Sequence, residues 1–378
     1  YNTNIKLKIG GRRMEKFRIL TINPGSTSTK IALYDDEELI FKEELTHEAS
    51  KLEEYKTTSD QLPYRTEMVI EALKKHNIEL SSIDAFSGRG GGLVSVKGGT
   101  YNVNDLLLEH ARIGYTVQHA SILGAQIAYN LAQKFGKRSF VVNPITVDEK
   151  EEVTRISGIK GVYNVSMFHA LNQKEVAYRY AKSINKRYDE LNLIVAHMGG
   201  GISVGAHKKG RIVDVNNAAE GDGPFSPTRS GSVTLMPIVE MCYSGKYTEK
   251  EMKELITKKG GLVSLLGTSD ARDVDAMIEK GDKEAKLVYD AMIYQVAKAI
   301  GAYSVILKGK VDAIILTGGI ARDEYVVEGL KDYVSYLGKI VVIPGEKEMD
   351  ALANGALRVL RGEEEALEYT GIPVWQAK

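Results

Sequence analysis

One succession of local signals occurs twice in this chain, and it constrains the fold more than any other feature. A β-rich segment at residues 17–22 leads into the glycine-rich loop 23–30 (NPGSTSTK), a second β-like run, an acidic turn and a third β-like run. About 175 residues later the same order returns, with the segment 193–198 (LIVAHM), the glycines 199–201 and two more β-like runs around a charged turn. Because repeated supersecondary units mark an internal duplication, the sequence predicts two related domains that each open with a three-stranded meander.

The segments that follow each meander alternate between helical and strand-like patterns. Helices are predicted over residues 66–75, 283–307, 323–336 and 349–361, and buried strands over 313–319 and 339–344. This alternation predicts an α/β fold in both halves, with the boundary in the charged stretch 148–160. Residues 1–13 are polar and basic and precede Met14, so we interpret them as a leader outside the fold, with a native N-terminal arm as the alternative.

The composition excludes several classes of function. The chain has 378 residues with 50 Lys and Arg against 50 Asp and Glu, so no overall field draws it to nucleic acid or to a membrane. A single cysteine, Cys242, excludes an internal disulfide framework and is typical of a cytoplasmic protein. We therefore expect a cytoplasmic protein without nucleic-acid or membrane partners, in which any work on anions depends on locally placed cations.

Both glycine-rich loops lie between strands, and neither matches the helix-based phosphate motifs GxxxxGK[ST] or GxGxxG. A tight turn can still bind phosphate through converging backbone N–H groups and hydroxyls, and the alternative is an ordinary hairpin turn. The repetition of the loops favours phosphate binding, with one triphosphate held between them. The residues predicted to do so are Asn23, Gly25, Ser26, Thr27, Ser28, Lys30, His197, Gly199, Gly200 and Gly201.

These loops, together with the string LTGGIA at 316–321, resemble the motifs of the acetate and sugar kinase, heat-shock ATPase and actin superfamily. Within it, the strings FH at 168–169, HMGGG at 197–201 and TRSG at 228–231 are similar to those of the acetate and butyrate kinase family. The longer strings SGRGGGL at 87–93 and VDVNNAAEGDGPFSPTRSG at 213–231 resemble butyrate kinases in particular. The resemblance covers almost everything after Met14.

The resemblance implies duplicated actin-like, or ribonuclease H-like, βββαβαβα domains with the active site in the cleft between them. We expect an N-terminal domain at 14–152, a nucleotide-binding domain at 153–349, a helix within 350–378 that returns to the first domain, and a homodimer or larger assembly. The implied reaction is reversible, ATP-dependent phosphorylation of butyrate to butyryl phosphate. Isobutyrate or another branched acid, acetate and propionate are alternative substrates, and a sugar or polyol kinase or a non-catalytic actin-like ATPase is a more distant alternative.

The chemistry of such a reaction explains which side chains are needed. A carboxylate is already ionised at neutral pH, so its phosphorylation needs no base, whereas the repulsion between two anions calls for fixed cations. Arg89 and Arg229 lie in glycine-rich loops, and a guanidinium binds carboxylate or phosphate through two parallel hydrogen bonds. By resemblance, both are catalytic, together with His169 and His119. For His119 and His197, a hydrogen-bonded interior histidine is the alternative.

The resemblance also implies ATP or ADP with Mg²⁺. Asn23 and Glu348 match residues near the metal, although Glu348 is also explained as an acid at a helix N-terminus. Asn143 replaces the aspartate of acetate kinases, so Asp148 is a further, weaker metal candidate. The residues that match the nucleoside-binding motifs are Asp270, Arg272, Gly318, Gly319 and Ile320.

The acyl pocket is expected to include Phe168 and Gly91. Gly91 stands where acetate kinases carry a valine that bounds the methyl pocket. Loss of that side chain is expected to open space for a longer acid, and each buried methylene contributes about 0.8 kcal/mol. This steric argument favours butyrate or isobutyrate over acetate.

Overall fold

A computed structural model of the chain describes residues 16–116 and 118–377. The segment 1–13 and Met14, interpreted above as a leader and the start of the fold, lie outside the described residues. Two mixed sheets organise the rest, and none of the helices in the described ranges combines the length and apolarity needed to span a bilayer.

The first sheet has six strands in the order β3-β2-β1-β4-β6-β5. Strand β1 pairs antiparallel with β2 and parallel with β4, and β4 pairs parallel with β6. The strands are β1 (Arg18–Pro24), β2 (Ser28–Asp35), β3 (Glu38–Thr46), β4 (Ala85–Gly88), β5 (Thr100–Asn102) and β6 (Arg138–Val142).

The second sheet repeats this arrangement with five strands in the order β11-β10-β7-β8-β9. Strand β7 pairs antiparallel with β8 and parallel with β10, and β10 pairs parallel with β11. The strands are β7 (Asn192–Met198), β8 (Ile202–Lys208), β9 (Arg211–Val215), β10 (Ala313–Gly318) and β11 (Lys339–Pro344). The internal duplication predicted from the two loops is therefore confirmed by the strand order of both sheets.

Helices cover the sheets and form separate apolar cores with them. Before the second sheet they are α1 (Ala49–Glu53), α2 (Leu62–Lys75), α3 (Asp105–Ile113), α4 (Ile122–Gln133), α5 (Glu152–Arg155) and α6 (Ala170–Ser183), of which α6 packs against β7 and β10 of the second sheet. In the second half they are α7 (Leu235–Tyr243), α8 (Glu249–Thr257), α9 (Gly261–Leu266), α10 (Ala271–Glu279), α11 (Lys283–Ser304), α12 (Glu324–Val334) and α13 (Glu348–Leu360).

Helix α13 links the two halves. It follows β11 of the second sheet, yet its apolar residues pack against Ile19, Ala85 and Phe140 of the first sheet. Its first residue, Glu348, lies at the carboxyl end of β11, where the chain leaves the second sheet. The helix therefore begins beside one half of the molecule and is buried in the other.

The carboxyl ends of the parallel strands carry the residues singled out by the sequence. Arg89 directly follows β4, Gly319 follows β10, and the two glycine-rich loops connect β1 to β2 and β7 to β8. Ligands of open α/β sheets bind at this edge, where the backbone leaves the sheet and its polar groups become available.

Two glycines fix the position of Arg89 by close backbone packing. A Cβ atom on Gly88 would lie 2.1 Å from the carbonyl oxygen of Gly124 on α4, and a Cβ atom on Gly124 would lie 2.6 Å from the backbone nitrogen of Arg89. Real Cβ atoms do not approach backbone atoms so closely, so these contacts need glycine on both sides. Helix α4 therefore packs directly against the end of β4.

This contact generates a stability prediction with a matched control. Gly124→Ala is expected to lower the free energy of unfolding by about 1–3 kcal/mol, because overpacking must displace the backbone around Arg89. Gly301→Ala, also in a helix, has open space around it and is expected to raise that free energy by about 1 kcal/mol through helix propensity. Thermal and urea unfolding of both variants measures the difference. A Gly124→Ala protein that is as stable as the Gly301→Ala protein would contradict the packing argument.

Candidate active site

A cavity of about 240 Å³ lies at the carboxyl end of the first sheet. It combines the first loop with Arg89 and the start of α13, so residues distant in sequence share one space. Its lining consists of Asn23, Pro24, Gly25, Ser28, Lys30, Arg89, His119, Ser121, Ile145 and Glu348. Seven of these ten were predicted site residues, and Pro24, Ser121 and Ile145 were not.

An ion pair spans this cavity. Arg89 pairs with Glu348, and Asn23 Nδ2 donates a 2.8 Å hydrogen bond to the other carboxylate oxygen. Burial opposes ionisation of Glu348, but the guanidinium of Arg89 and the amide of Asn23 outweigh it and lower the pKa of the carboxyl group to about 2. Glu348 is therefore a carboxylate at any physiological pH and a poor base.

The first loop rests on a buried arginine that sequence reasoning missed. Arg65 of α2 is fully buried and donates hydrogen bonds to the backbone carbonyls of Gly25, Ser26 and Ser28 at 2.9–3.1 Å. It pairs with no carboxylate in the ranges 16–116 and 118–377. These hydrogen bonds hold the backbone of the first loop in its turn conformation, and they place a positive charge next to the loop.

The second loop is held by the segment that contains Arg229. Gly199 donates to the carbonyl of Gly201, and the hydroxyls of Ser226 and Thr228 donate to the carbonyl of Gly200 at 2.7 and 3.0 Å. The guanidinium lies directly on Gly201, where a Cβ atom would come within 1.6 Å of Nη1. Any side chain at Gly201 would therefore expel Arg229 from this place.

Arg229 has a buried Nε without a hydrogen-bond partner, and it forms no ion pair with the described residues. A buried guanidinium N–H without an acceptor costs free energy unless a ligand supplies one. The second loop thus presents a cation and open backbone to the cleft, which suits an anion.

Two histidines stack beside the arginines. The rings of His169 and His197 lie 3.9 Å apart with an angle of 9° between their planes. Burial lowers the pKa of His197 to about 4 and that of His169 well below its usual value, and both Arg89 and Arg229 act in the same direction on each ring. The two arginines, from different halves of the chain, are therefore both near this pair of neutral rings.

His119 lies at the opposite side, in the cavity of the first loop. Its Nδ1 accepts the backbone N–H of Ser121 at 3.2 Å, so a neutral ring carries its proton on Nε2. Burial and then Arg89 lower the pKa of His119. The ring is thus a neutral donor near Arg89 and not a charged partner.

The metal candidate Asp148 is engaged elsewhere, and so is Asn143, which replaces the aspartate of acetate kinases. Both oxygens of the buried Asp148 accept hydrogen bonds from Arg155 at 2.6 and 2.9 Å, and Asn143 Oδ1 accepts the backbone N–H of Gly99 at 2.8 Å. Asp148 also does not line the cavity of the first loop, so it is less suited than Glu348 to a metal ion that enters with a nucleotide there.

The remaining donors do fit a magnesium ion that is bound mainly through a nucleotide. In the part of the chain that the structure describes, no group of three or more His, Cys, Asp and Glu side chains is arranged to hold a metal. Mg²⁺ usually takes one or two carboxylates and fills its octahedron with phosphate oxygens and water. Glu348 with Asn23 suits that pattern, and Glu346 adds a second carboxyl group, whose pKa is raised by burial and by Glu348.

The steric argument at Gly91 is wrong. A Cβ atom there would lie 2.3 Å from Ser121 Oγ and 3.0 Å from the backbone carbon of Ser121. The space that a valine would fill is therefore occupied by the start of α4, and the glycine permits close packing without opening a pocket. Phe168 is buried in an apolar cluster with Leu93 and Val96 and does not line the cavity of the first loop.

The residues predicted to bind the nucleoside form two groups. Gly318 ends β10 with φ +90°, and a Cβ atom there would meet the carbonyl of Met198 at 2.2 Å, so β10 is packed against the start of the second loop. Gly319 has open space around it, and Ile320 is buried. Asp270 caps α10 and forms an exposed ion pair with Arg272, and no hydrogen bond or ion pair joins these two residues to either loop among the described residues.

The two repeated sheets and the helices that cover them define a protein of the actin-like fold class. Solved structures confirm that fold: acetate kinase from Porphyromonas gingivalis matches with a TM-score of 0.73 and 20% identity, over 91% of this chain and 100% of that one. A propionate kinase from Francisella tularensis subsp. tularensis SCHU S4 gives 0.73 and 20%, over 90% and 98%. The putative N-acetylmannosamine kinase Lmo2764 from Listeria monocytogenes gives 0.51 and 14%, over 92% and 100%.

The family follows from the sequence itself. The model of the Acetokinase family matches residues 159–350, which is just over half of the 378 residues. The chain belongs to this family, and membership indicates an ATP-dependent phosphotransferase that acts on a carboxylate.

Arg65 gives a test of the loop architecture. Arg65→Met removes the guanidinium donors of three loop carbonyls and the positive charge beside the loop, and is expected to weaken ATP binding roughly 10- to 100-fold. Binding of adenosine, which lacks the phosphates, should change little. Isothermal calorimetry with both ligands measures this, and Arg112→Met, at an exposed arginine, is the matched control. Equal weakening of both ligands would show general damage and contradict the assignment.

Proposed function

We propose that this protein transfers the γ-phosphoryl group of ATP to the carboxylate of a short-chain fatty acid, with butyrate as the preferred acceptor, and that it catalyses the reverse reaction. The observation that carries the proposal is the cavity beside Arg89, which joins a fixed guanidinium, the first loop and two apolar side chains, Pro24 and Ile145. An acid bound there would place its carboxylate at the cation and its alkyl chain against the apolar wall.

The chemistry follows from the charges of these groups. A carboxylate oxygen attacks the γ-phosphorus, the bond to the bridging oxygen breaks, and ADP leaves with the negative charge. The acceptor is already ionised, so no proton has to be removed. Arg89, Arg229 and Lys30 offset the repulsion between the two anions, and the neutral imidazoles donate hydrogen bonds without competing for the carboxylate.

Magnesium is proposed to enter with the nucleotide. Glu348 and Asn23 would hold it, with Glu346 nearby, and the ion would neutralise charge on the phosphates. The proposed adenosine contacts are Asp270, Arg272 and the turn Gly318–Ile320. The three neutral imidazoles of His119, His169 and His197 and the three cations Lys30, Arg89 and Arg229 remain for the transferred group and the acceptor.

The choice of butyrate rests on two supports. The strings around Arg89 and Arg229 resemble butyrate kinases, and the cavity has apolar walls at Pro24 and Ile145. Isobutyrate or another branched acid is the near alternative, and acetate and propionate are the substrates named for two of the similar structures. A sugar hydroxyl would need a general base, for which the ion-paired Glu348 is unsuited.

A panel of acceptors tests this proposal. Butyrate is expected to exceed acetate in kcat/KM by roughly 15-fold, because two more methylenes are buried at about 0.8 kcal/mol each. Acyl phosphate is trapped as hydroxamate and ADP is measured for acetate, propionate, butyrate, isobutyrate, valerate, glucose and glycerol. Arg229→Ala should abolish turnover of every acid without unfolding the protein.

Two outcomes would contradict the proposal at different levels. A clear maximum of kcat/KM at acetate would remove butyrate as the preferred acceptor but leave a carboxylate kinase. Turnover of glucose or glycerol without hydroxamate formation would remove the carboxylate kinase itself.

We also propose that the protein is cytoplasmic and assembles as a homodimer or larger oligomer, and helix α7 supports the assembly. None of its residues is buried, and the large apolar side chains of Leu235, Met236 and Tyr243 are 72%, 67% and 88% exposed. Monomeric proteins seldom expose so many large apolar side chains on one short helix. A second copy of this chain, with the same helix, would bury them.

Light scattering after gel filtration tests the oligomer. The double variant Leu235→Glu with Met236→Glu is expected to convert the assembly to monomers, because it places charges in an apolar contact. Leu287→Glu, at an equally exposed leucine of α11, is the control and should leave the mass unchanged. A monomeric wild-type protein, or an oligomer that survives the double change, would contradict the assignment.

A further inference from the structure

Two consecutive residues of α6, Asn172 and Gln173, are fully buried behind the stacked histidines. Neither residue lines the cavity of the first loop, and both side chains are uncharged amides. Asn172 hydrogen-bonds to the ring of His197, and Gln173 hydrogen-bonds to Ser203, which in turn hydrogen-bonds to the ring of His169. Buried amides with several partners of fixed polarity determine which atom donates and which accepts.

The backbone fixes the orientation of Asn172. Its Oδ1 accepts the N–H of Lys347 at 2.7 Å, and a backbone N–H can only donate. Its Nδ2 must therefore face the other side, where it lies 2.9 Å from His197 Nδ1 and 3.2 Å from Thr317 Oγ1. Since Nδ2 donates, His197 Nδ1 accepts, and the neutral ring carries its proton on Nε2.

Gln173 sets His169 in the same way through a serine. Its Nε2 donates to the backbone carbonyl of Ser203 at 3.1 Å, which fixes the orientation of this amide. The same nitrogen donates to Ser203 Oγ at 2.8 Å, and that hydroxyl lies 2.9 Å from His169 Nδ1. Among the described residues the Ser203 hydroxyl has no other acceptor, so it donates its hydrogen to Nδ1, and the proton of His169 is also on Nε2.

We infer that Asn172 and Gln173 are positioning residues that fix both stacked histidines in the Nε2–H tautomer, so that two neutral N–H donors point at the transferring phosphoryl group. This inference rests on the proposed function. The Nε2 of His197 lies 3.2 Å from the position of a Cβ on Gly199, which directs it at the second loop. A neutral donor binds phosphoryl oxygens without forming an ion pair with the incoming acid.

The groups that face His197 are His169, Arg89, Arg229 and Glu348. Among these, the two guanidiniums disfavour a charged ring and the carboxylate favours it. Asn172 adds no charge, so the wild-type ring stays neutral over the working pH range. An aspartate at the same place would accept from Nδ1 and reverse both the tautomer and the preference for neutrality.

Nitrogen NMR of histidine-labelled protein tests the tautomers without any substrate. In the wild-type protein at pH 8, His169 and His197 are expected to show a protonated Nε2 and an unprotonated Nδ1. Asn172→Asp should move the proton of His197 to Nδ1, and Ser203→Ala should leave His169 as a mixture of tautomers. An unprotonated Nε2 on His197 in the wild-type protein would overturn the inference.

Kinetics give the second readout. Asn172→Asp is expected to lower kcat roughly 10²- to 10³-fold at pH 8, the typical cost of losing one transition-state donor. The loss should shrink as the pH falls to 6, because the charged ring regains a proton on Nε2, whereas the wild-type profile stays flat there. Asn130→Asp, an exposed asparagine on α4, adds the same charge far from the histidines and serves as the control.

The two readouts separate failure of the inference from failure of the proposed function. An Asn172→Asp protein with wild-type kcat, or with a uniform loss at every pH, would overturn the positioning role. If the wild-type protein phosphorylates no carboxylate, the proposed function fails. The NMR result still decides the tautomers in that case, and the kinetic comparison is then made on the rate of ATP hydrolysis.

Discussion

The ion pair between Arg89 and Glu348 is the contact on which the site depends. Arg89 leaves the first sheet at the end of β4, and Glu348 begins the helix that crosses from the second sheet to the first. Asn23 of the first loop completes the contact through its amide. One carboxylate thus brings together a loop, a strand end and a helix start. Its ionisation is maintained against burial by the same two partners. Loss of either would leave a buried charge without compensation.

The rest of the site depends on a second feature. Inside the cleft, cationic side chains outnumber anionic ones. Arg65 and Arg229 have no carboxylate partner among the described residues, and the histidines between the halves are neutral. In a chain with equal numbers of acidic and basic residues, this local excess results from placement. The acidic side chains are paired elsewhere, as Asp148 is with Arg155. An incoming phosphate is then the group that neutralises the site.

The fold was largely predictable from sequence because its strongest signals are local. Strand, tight loop and strand recur with clear patterns, and β1, β7, β10 and β11 lie where the apolar runs predicted them. Helices α2, α11, α12 and α13 were predicted to within a few residues of their bounds, whereas α1 and α3 to α10 were not predicted. The site was predictable at Arg89, Lys30 and Glu348, whose motifs are contiguous. Arg65 was missed because its partners lie about 40 residues away. Gly91 was misinterpreted because the role of a glycine depends on what packs against it, and here that is α4.

Helix α13 has a consequence for how the molecule can be divided. Although the two sheets descend from one repeated plan, the last helix of the second unit buries its apolar face against the first. If the chain were cut between the units, the first sheet would keep α2 and α4 but lose the helix that packs against Ile19, Ala85 and Phe140, and the second unit would end in an unpacked amphipathic helix. The cut would also remove Glu348 from Arg89. A unit separated from the other would need a helix of its own on that face of the sheet, so we expect the two units of this chain to fold only together.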